Sequence, residues 1–303
     1  MSLTKVAAIV GPTAVGKSAA AVEVAERLDA EIVSMDSMQL YRGMDVGTDK
    51  VPRELRERVP HHLLDVFEPS HELTVAEFQR LGRAAIEDIA RRRKLPLLVG
   101  GSGLYVRAVV DDLRFPPRSP DVRAALEAEA DESGARSLHD RLRELDPKAA
   151  DKIEPDNERR TIRALEVIEL TGEPFSANAG WDDSESIYDL AIAGIGRPRE
   201  DLYERIEQRV DRLLAGGLLA EVSRLRDMDH CRTAGQALGY RQILEAAPDA
   251  SIADVRSEII RATKRFARRQ ESWFRADPRV RWFESDGVLA RRLELYFRAE
   301  LNL

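Results

Sequence analysis

Three short apolar runs, VAAIV (Val6 to Val10), EIVSM (Glu31 to Met35) and LPLLV (Leu95 to Val99), each stop at polar or glycine-rich residues. Helical patterns lie between them: Lys17 to Leu28, then Val75 to Arg92, where Phe78, Leu81, Ala85 and Ile89 recur every three or four positions. Short apolar runs alternating with amphipathic ones predict an α/β fold, a parallel sheet flanked by helices on both faces. Ligands of such sheets sit at the carboxyl ends of the strands. The three runs end there in GPTAVGKS (Gly11 to Ser18), Asp36-Ser37 and Gly100-Gly101-Ser102.

After LRFPPRSP the pattern changes, and from about Pro120 to Gly172 only helical periodicity remains. Ser119 before Pro120 is a helix start, and Gly134 and Gly172 are stops. An all-helical insertion domain is therefore expected over residues 116–186, between core segments 1–115 and 187–303. IYDLAIAGI (Ile187 to Ile195) reads as a strand rejoining the sheet. Helices are expected at Arg199 to Ala215, Leu218 to Arg226, Tyr240 to Ala247 and Ile252 to Arg275, with VRWFE as a late edge strand. TGEPFSANAGWDDSES is the most loop-like stretch.

Composition narrows the class. The 303 residues are 43% hydrophobic and 33% charged, as in ordinary globular chains. No run of about 18 apolar residues predicts a membrane span, and the first apolar run reads as a buried strand rather than a signal peptide. Cys231 is the single cysteine, which excludes an internal disulfide and a multi-cysteine zinc site. A cytoplasmic enzyme with no membrane partner is expected. The net charge of −7 hides a basic segment, Arg256 to Arg275, with a local balance of +5. There Arg261, Lys264, Arg265 and Arg268 share a helical face, with Ile259, Ile260, Phe266 and Trp273 as apolar contacts. That stripe reads equally as a polyanion site or as a solvated amphipathic face.

GPTAVGKS has the phosphate-loop spacing in its required setting, a strand before and a helix after, which makes the sheet P-loop-containing. Backbone N–H groups across Gly11, Pro12, Thr13, Ala14, Val15, Gly16, Lys17 and Ser18 are expected to wrap phosphate at the positive end of the helix. Lys17 would neutralise charge, and the Ser18 hydroxyl would hold Mg²⁺, with Asp36 joining through water. A nucleotide hydrolase also needs an apolar strand ending in aspartate, whereas LPLLV ends in Gly-Gly-Ser. Asp36 is the one strand-end carboxylate near the loop. It suits a general base, and it equally suits a helix N-cap. The five histidines, His61, His62, His71, His139 and His230, show no metal-ligand spacing.

GPTAVGKS, SMDSMQLYRGMDVGTDK, PHHLLD (Pro60 to Asp65) and LPLLVGGSGLY closely resemble the bacterial tRNA dimethylallyltransferases. The likeness continues through RRTIRALEVIELTGEP (Arg159 to Pro174), RIEQRVDRLLAGGLLAEV (Arg205 to Val222) and ALGYRQI (Ala237 to Ile243), spanning nearly the whole chain. It implies that the phosphates are those of dimethylallyl diphosphate and that the acceptor is N6 of adenosine 37 in tRNA. It further implies Asp36 as general base and an arginine of RIEQR on the diphosphate, with Arg205 and Arg209 both open and one of them free to pair with Glu204 or Glu207. Thr13 and Ser102 match further substrate-contacting positions; many relatives carry threonine where Ser102 stands, which keeps the hydroxyl. The implied RNA contacts are Asp36, Ser37, Met38 and Gln39, then Ser102 and Arg123. Arg159, Arg160, Thr161, Ile162 and Arg163 follow, with Gly239, Tyr240, Arg241 and Gln242. The target base must leave its stack, and the helical insertion is expected to grip the anticodon stem-loop of a tRNA bound by a monomer. The competing readings are a P-loop small-molecule kinase, an adenylate isopentenyltransferase acting on free AMP, and a noncatalytic RNA-binding module.

Overall fold

The computed structural model describes residues 3–178, 185–226, 230, 232–247 and 249–303. Cys231 and residues 179–184 of the loop-like stretch lie outside them. The chain divides into two compact units, 1–111 with 186–303, and 112–185.

The larger unit is built on six strands: β1 (Lys5–Val10), β2 (Ala30–Ser34), β3 (His61–His62), β4 (Leu95–Gly100), β5 (Asp189–Gly196) and β6 (Val280–Glu284). All pair in parallel, in the order β3-β2-β4-β1-β5-β6. The register sets Ala8 of β1 between Leu98 and Ile192. Alternation then sorts each strand onto two cores. Val6, Ala8 and Val10 join one buried cluster, and Ala7 and Ile9 join the other. Both faces of the sheet are covered, which is why the strands read as unbroken apolar runs.

The helices of this unit are α1 (Lys17–Leu28), α2 (Arg53–Arg58), α3 (Val75–Arg91) and α4 (Gly103–Val110) before the smaller unit. In the smaller unit come α5 (Pro120–Ser133), α6 (Ala135–Leu145), α7 (Pro147–Ala150) and α8 (Glu158–Thr171). Back in the larger unit are α9 (Arg199–Ala215), α10 (Leu218–Arg226), α11 (Arg232–Gly235), α12 (Tyr240–Leu244), α13 (Ile252–Arg275) and α14 (Leu289–Leu301). The expected helix starting at Tyr240 stops at Leu244 rather than Ala247. The edge strand VRWFE is present, and it runs parallel to β5.

The smaller unit has its own core, with Leu126, Leu138, Leu142, Ile162 and Leu165 buried. Ser119 caps α5 by accepting the Val122 amide, with Pro120 at the first turn, and Gly134 and Gly172 end α5 and α8. Asp146 caps α7 and also accepts from the Ser176 amide and hydroxyl, which pins the chain after α8. Among the described residues no helix is long and apolar enough to cross a membrane.

Candidate active site

The turn from β1 to α1 cannot be made by other residues. Gly11 has φ +140°, and a Cβ there would lie 2.6 Å from the Ile195 carbonyl oxygen of the neighbouring strand; Gly16, at φ +107°, occupies the N-cap position of α1. Lys17 folds back so that Nζ donates to the carbonyls of Gly11 (2.9 Å) and Pro12 (2.7 Å), leaving one of its three N–H groups for a ligand. The loop's donors are fewer than the sequence suggested. Pro12 has no N–H, and the Thr13 amide already donates to Oε1 of Gln270 at 2.8 Å.

The loop floors a cavity of about 400 Å³. Asp36, Arg205 and Arg209 line it with Lys17 and Ser18, as do Gln39, Asp49, Arg212 and Gln270. Asp36 follows β2 and caps the 3₁₀ turn Ser37–Leu40, accepting the Met38 amide at 3.0 Å through Oδ1. It is therefore both a cap and a cavity residue. Burial pushes its carboxyl above the ordinary aspartate value, against the pull of the Met38 amide, Arg209 and Lys17. Burial is also the largest influence on Lys17, which falls to about 7, with Asp36 opposing and Arg209 adding to the fall. The three groups thus feel one another's charge in one enclosure.

Both arginines left open by the sequence reach the loop. Arg205 Nε donates to the Ala14 carbonyl at 2.9 Å. Arg209 donates through Nη1 to Thr13 Oγ1 at 2.7 Å and through Nε to Asp49 at 2.9 Å. Neither pairs with Glu204 or Glu207; Gln208 and Lys264 occupy those carboxylates.

A buried frame holds the far wall. Glu221, on α10, accepts the backbone N–H groups of Asp45, Val46 and Gly47 at 2.8–2.9 Å and the Tyr240 hydroxyl. Gln39 links this wall to β2, accepting from Ser34 Oγ and donating to the Thr48 carbonyl. From α13, Gln270 spans the Thr13 amide and the Gly101 carbonyl, which ties the phosphate loop to the turn after β4. Sequence reasoning missed Asp49, Glu221 and Gln270. Asp49 was visible inside the DVGTDK block, whereas Glu221 and Gln270 act across long chain separations that no periodicity reveals.

Several residues expected at the substrates have protein partners or lie outside the cavity lining. Ser102 takes the N-cap position of α4, one residue beyond the cavity lining, which ends at Gly101. Ser37 and Tyr240 are buried, so neither side chain is presented to RNA in this structure. Tyr240 instead places its ring where a Cβ on Gly47 would sit. Gln242 turns its side-chain oxygen to the Gly239 amide at 2.8 Å, and Arg241 pairs with Glu245. In the smaller unit, Thr161 and Ile162 are buried, Arg123 pairs with Glu127 and Glu166, and Arg163 is taken by Glu166 and the carbonyls of Pro116 and Pro117. Arg159 and Arg160 are exposed and make no ion pair among the described residues. The basic stripe on α13 is split: Arg261 pairs with Glu258 and Lys264 with Glu207, while Arg265 and Arg268 stay exposed and unpaired among the described residues. Trp273 is 42% exposed and packs its ring against Gly103. His62, His71 and His139 bond to protein partners, as structural histidines do, whereas His61 lines the cavity with Nδ1 bonded to the Val59 carbonyl.

A family model described as IPP transferase matches residues 39–277, and one described as isopentenyl transferase matches residues 4–60. The tRNA dimethylallyltransferase of Streptomyces coelicolor is 51% identical over 294 residues, covering 96% of this chain and 93% of its own. The chain belongs to the tRNA dimethylallyltransferase (IPP transferase) family. Another member, from Thermobifida fusca, is 52% identical over 292 residues, covering 94% and 91%. The crystal structure of the full-length tRNA isopentenylpyrophosphate transferase from Bacillus halodurans shares this fold with a TM-score of 0.73 at 40% identity, covering 98% of this chain and 97% of that one. A eukaryotic dimethylallyltransferase acting on tRNA matches with a TM-score of 0.79 at 25% identity, over 94% and 75%. Family membership fits a phosphate loop that meets a half-buried carboxylate rather than a nucleotide-hydrolase metal strand.

Proposed function

We propose that this member of the family transfers the dimethylallyl group of dimethylallyl diphosphate to N6 of adenosine 37 in tRNA and releases diphosphate. The observation that carries the reading is the enclosure of Asp36 with the phosphate loop, Lys17 and Arg209 in one cavity. The exocyclic amine of adenine is a weak nucleophile, because its lone pair is shared with the ring. As the N6–C1 bond forms, Asp36 takes the N6 proton, and its raised pKa makes it a stronger base than an exposed aspartate. The C1–O bond breaks and its electron pair leaves on the diphosphate. The free N–H groups of Lys17, Arg205 and Arg209, with the amides of the loop, meet that growing charge.

Oxygen donors at the site suit Mg²⁺. The Ser18 hydroxyl and the second oxygen of Asp36 make no hydrogen bond among the described residues, and both line the cavity with phosphate-binding groups. Bound there, the ion would neutralise phosphate charge as the leaving group departs. The unit 112–185 is assigned the grip on the anticodon stem-loop, through Arg159 and Arg160 above all, since these two adjacent arginines at the start of α8 are exposed and make no ion pair among the described residues. A kinase reading is disfavoured, because β4 ends in Gly100 rather than in an aspartate that would hold the metal of a nucleotide.

Asp36→Ala and Lys17→Ala test the assignment together. Asp36→Ala should keep tRNA affinity and lower the transfer rate by about 10²-fold, the scale of a lost general base. Lys17→Ala should raise the KM for the donor more than that for tRNA. Unchanged turnover without Asp36, or collapse of tRNA affinity without Lys17, contradicts the roles given.

A further inference from the structure

Arg209 is held by two partners at once, and one of them, Asp49, belongs to no part of the chemistry above. Among the described residues lining the cavity, Asp49 carries the only carboxylate besides Asp36, and its side chain is 55% exposed against 16% for Arg209. It sits on a backbone that resists movement. Its φ is +53°, a left-handed conformation uncommon for a residue with a Cβ. Its amide donates to the Val46 carbonyl, the preceding amides end on buried Glu221, and Lys50 behind it is buried on Tyr41, Asp45 and Asp65. A diphosphate drawing on Arg209 therefore moves the long arginine side chain rather than the carboxylate.

We propose that Asp49 competes with diphosphate for Arg209 and so favours release of the product. This rests on the reading of the cavity as the diphosphate site. The donor is a diphosphate monoester, whereas free diphosphate has one more ionisable oxygen. A fixed carboxylate at the rim therefore disfavours the product more than the donor. After the C1–O bond breaks, Asp49 reclaims the guanidinium. Half-exposure limits the size of the effect.

The test is calorimetric titration of inorganic diphosphate, at fixed Mg²⁺, into the wild-type protein and into Asp49→Asn and Asp49→Ala. Both variants should bind diphosphate about fivefold more tightly, roughly 1 kcal/mol, and product inhibition of transfer should strengthen in parallel. The donor KM should fall by less. Had Asp49 merely braced Arg209, both variants would bind diphosphate more weakly, which overturns the proposal. Had it held a metal, the weakening would be relieved by added Mg²⁺, which also overturns it. A wild-type protein that binds no diphosphate removes the site reading itself, whereas tight binding unchanged by the two substitutions removes this inference alone.

Discussion

Asp36 accepts the Met38 amide through Oδ1, and its other oxygen has no partner among the described residues, so the cap and the proposed base are one side chain. The sequence offered these as competing readings, because capping residues and catalytic carboxylates are drawn from the same few types. Only the structure shows one side chain both capping a turn and lining the cavity. Lys17 gives the sharper residue-scale expectation. Its pKa of about 7 reflects burial, and a bound diphosphate favours the charged ammonium, raising that value in the complex. At pH 8 the free protein holds Lys17 mostly neutral, so binding takes up close to one proton. Below about pH 6 both states are charged and no proton is taken up. Affinity for diphosphate therefore weakens as pH rises above 7. Titration calorimetry at pH 8 in buffers of different ionisation enthalpy measures the uptake, and its absence contradicts the coupling. At acid pH the raised pKa of Asp36 has the opposite sense: the base is lost as pH falls, at a higher pH than for an ordinary aspartate, and Asp36→Asn abolishes that limb.

At the scale of elements, the long ones were legible and the short or remote ones were not. α1, α9 and α13 span the residues that periodicity gives. β3 is two residues long, so His61 and His62 carried no strand signal and drew attention as histidines instead. α4 is short and apolar on most sides, which makes it indistinguishable from a continued buried run, and α14 was passed over at the end of the chain. The larger gap is between elements. α13 read as a basic helix, equally a polyanion site or a solvated face, yet its buried face also carries Gln270 into the phosphate loop. Gln270→Ala leaves the Thr13 amide and the Gly101 carbonyl without that partner. Stability should fall by about 1–3 kcal/mol in denaturant titration, and the donor KM should rise more than the tRNA KM. Equal changes in both would make Gln270 a structural residue only.

For the whole molecule, the proposal is a division of labour between the two units: the larger is assigned the chemistry and the smaller the polyanion. The acidic net charge, −7, argues against indiscriminate nucleic-acid binding and leaves attraction to local clusters. Arg159→Ala with Arg160→Ala should weaken tRNA binding and make its logarithmic salt dependence shallower by about 0.7–0.9 for each phosphate that is no longer neutralised, with the donor KM unmoved. An unchanged salt slope contradicts the role of that unit. The whole account is tested most directly by incubating the protein with labelled dimethylallyl diphosphate, Mg²⁺ and, in parallel, tRNA, free AMP or ATP. Label should enter tRNA alone, at N6 of a single adenosine beside the anticodon, with one diphosphate released per group transferred. Label on AMP, or ATP consumed with unlabelled RNA, would contradict it.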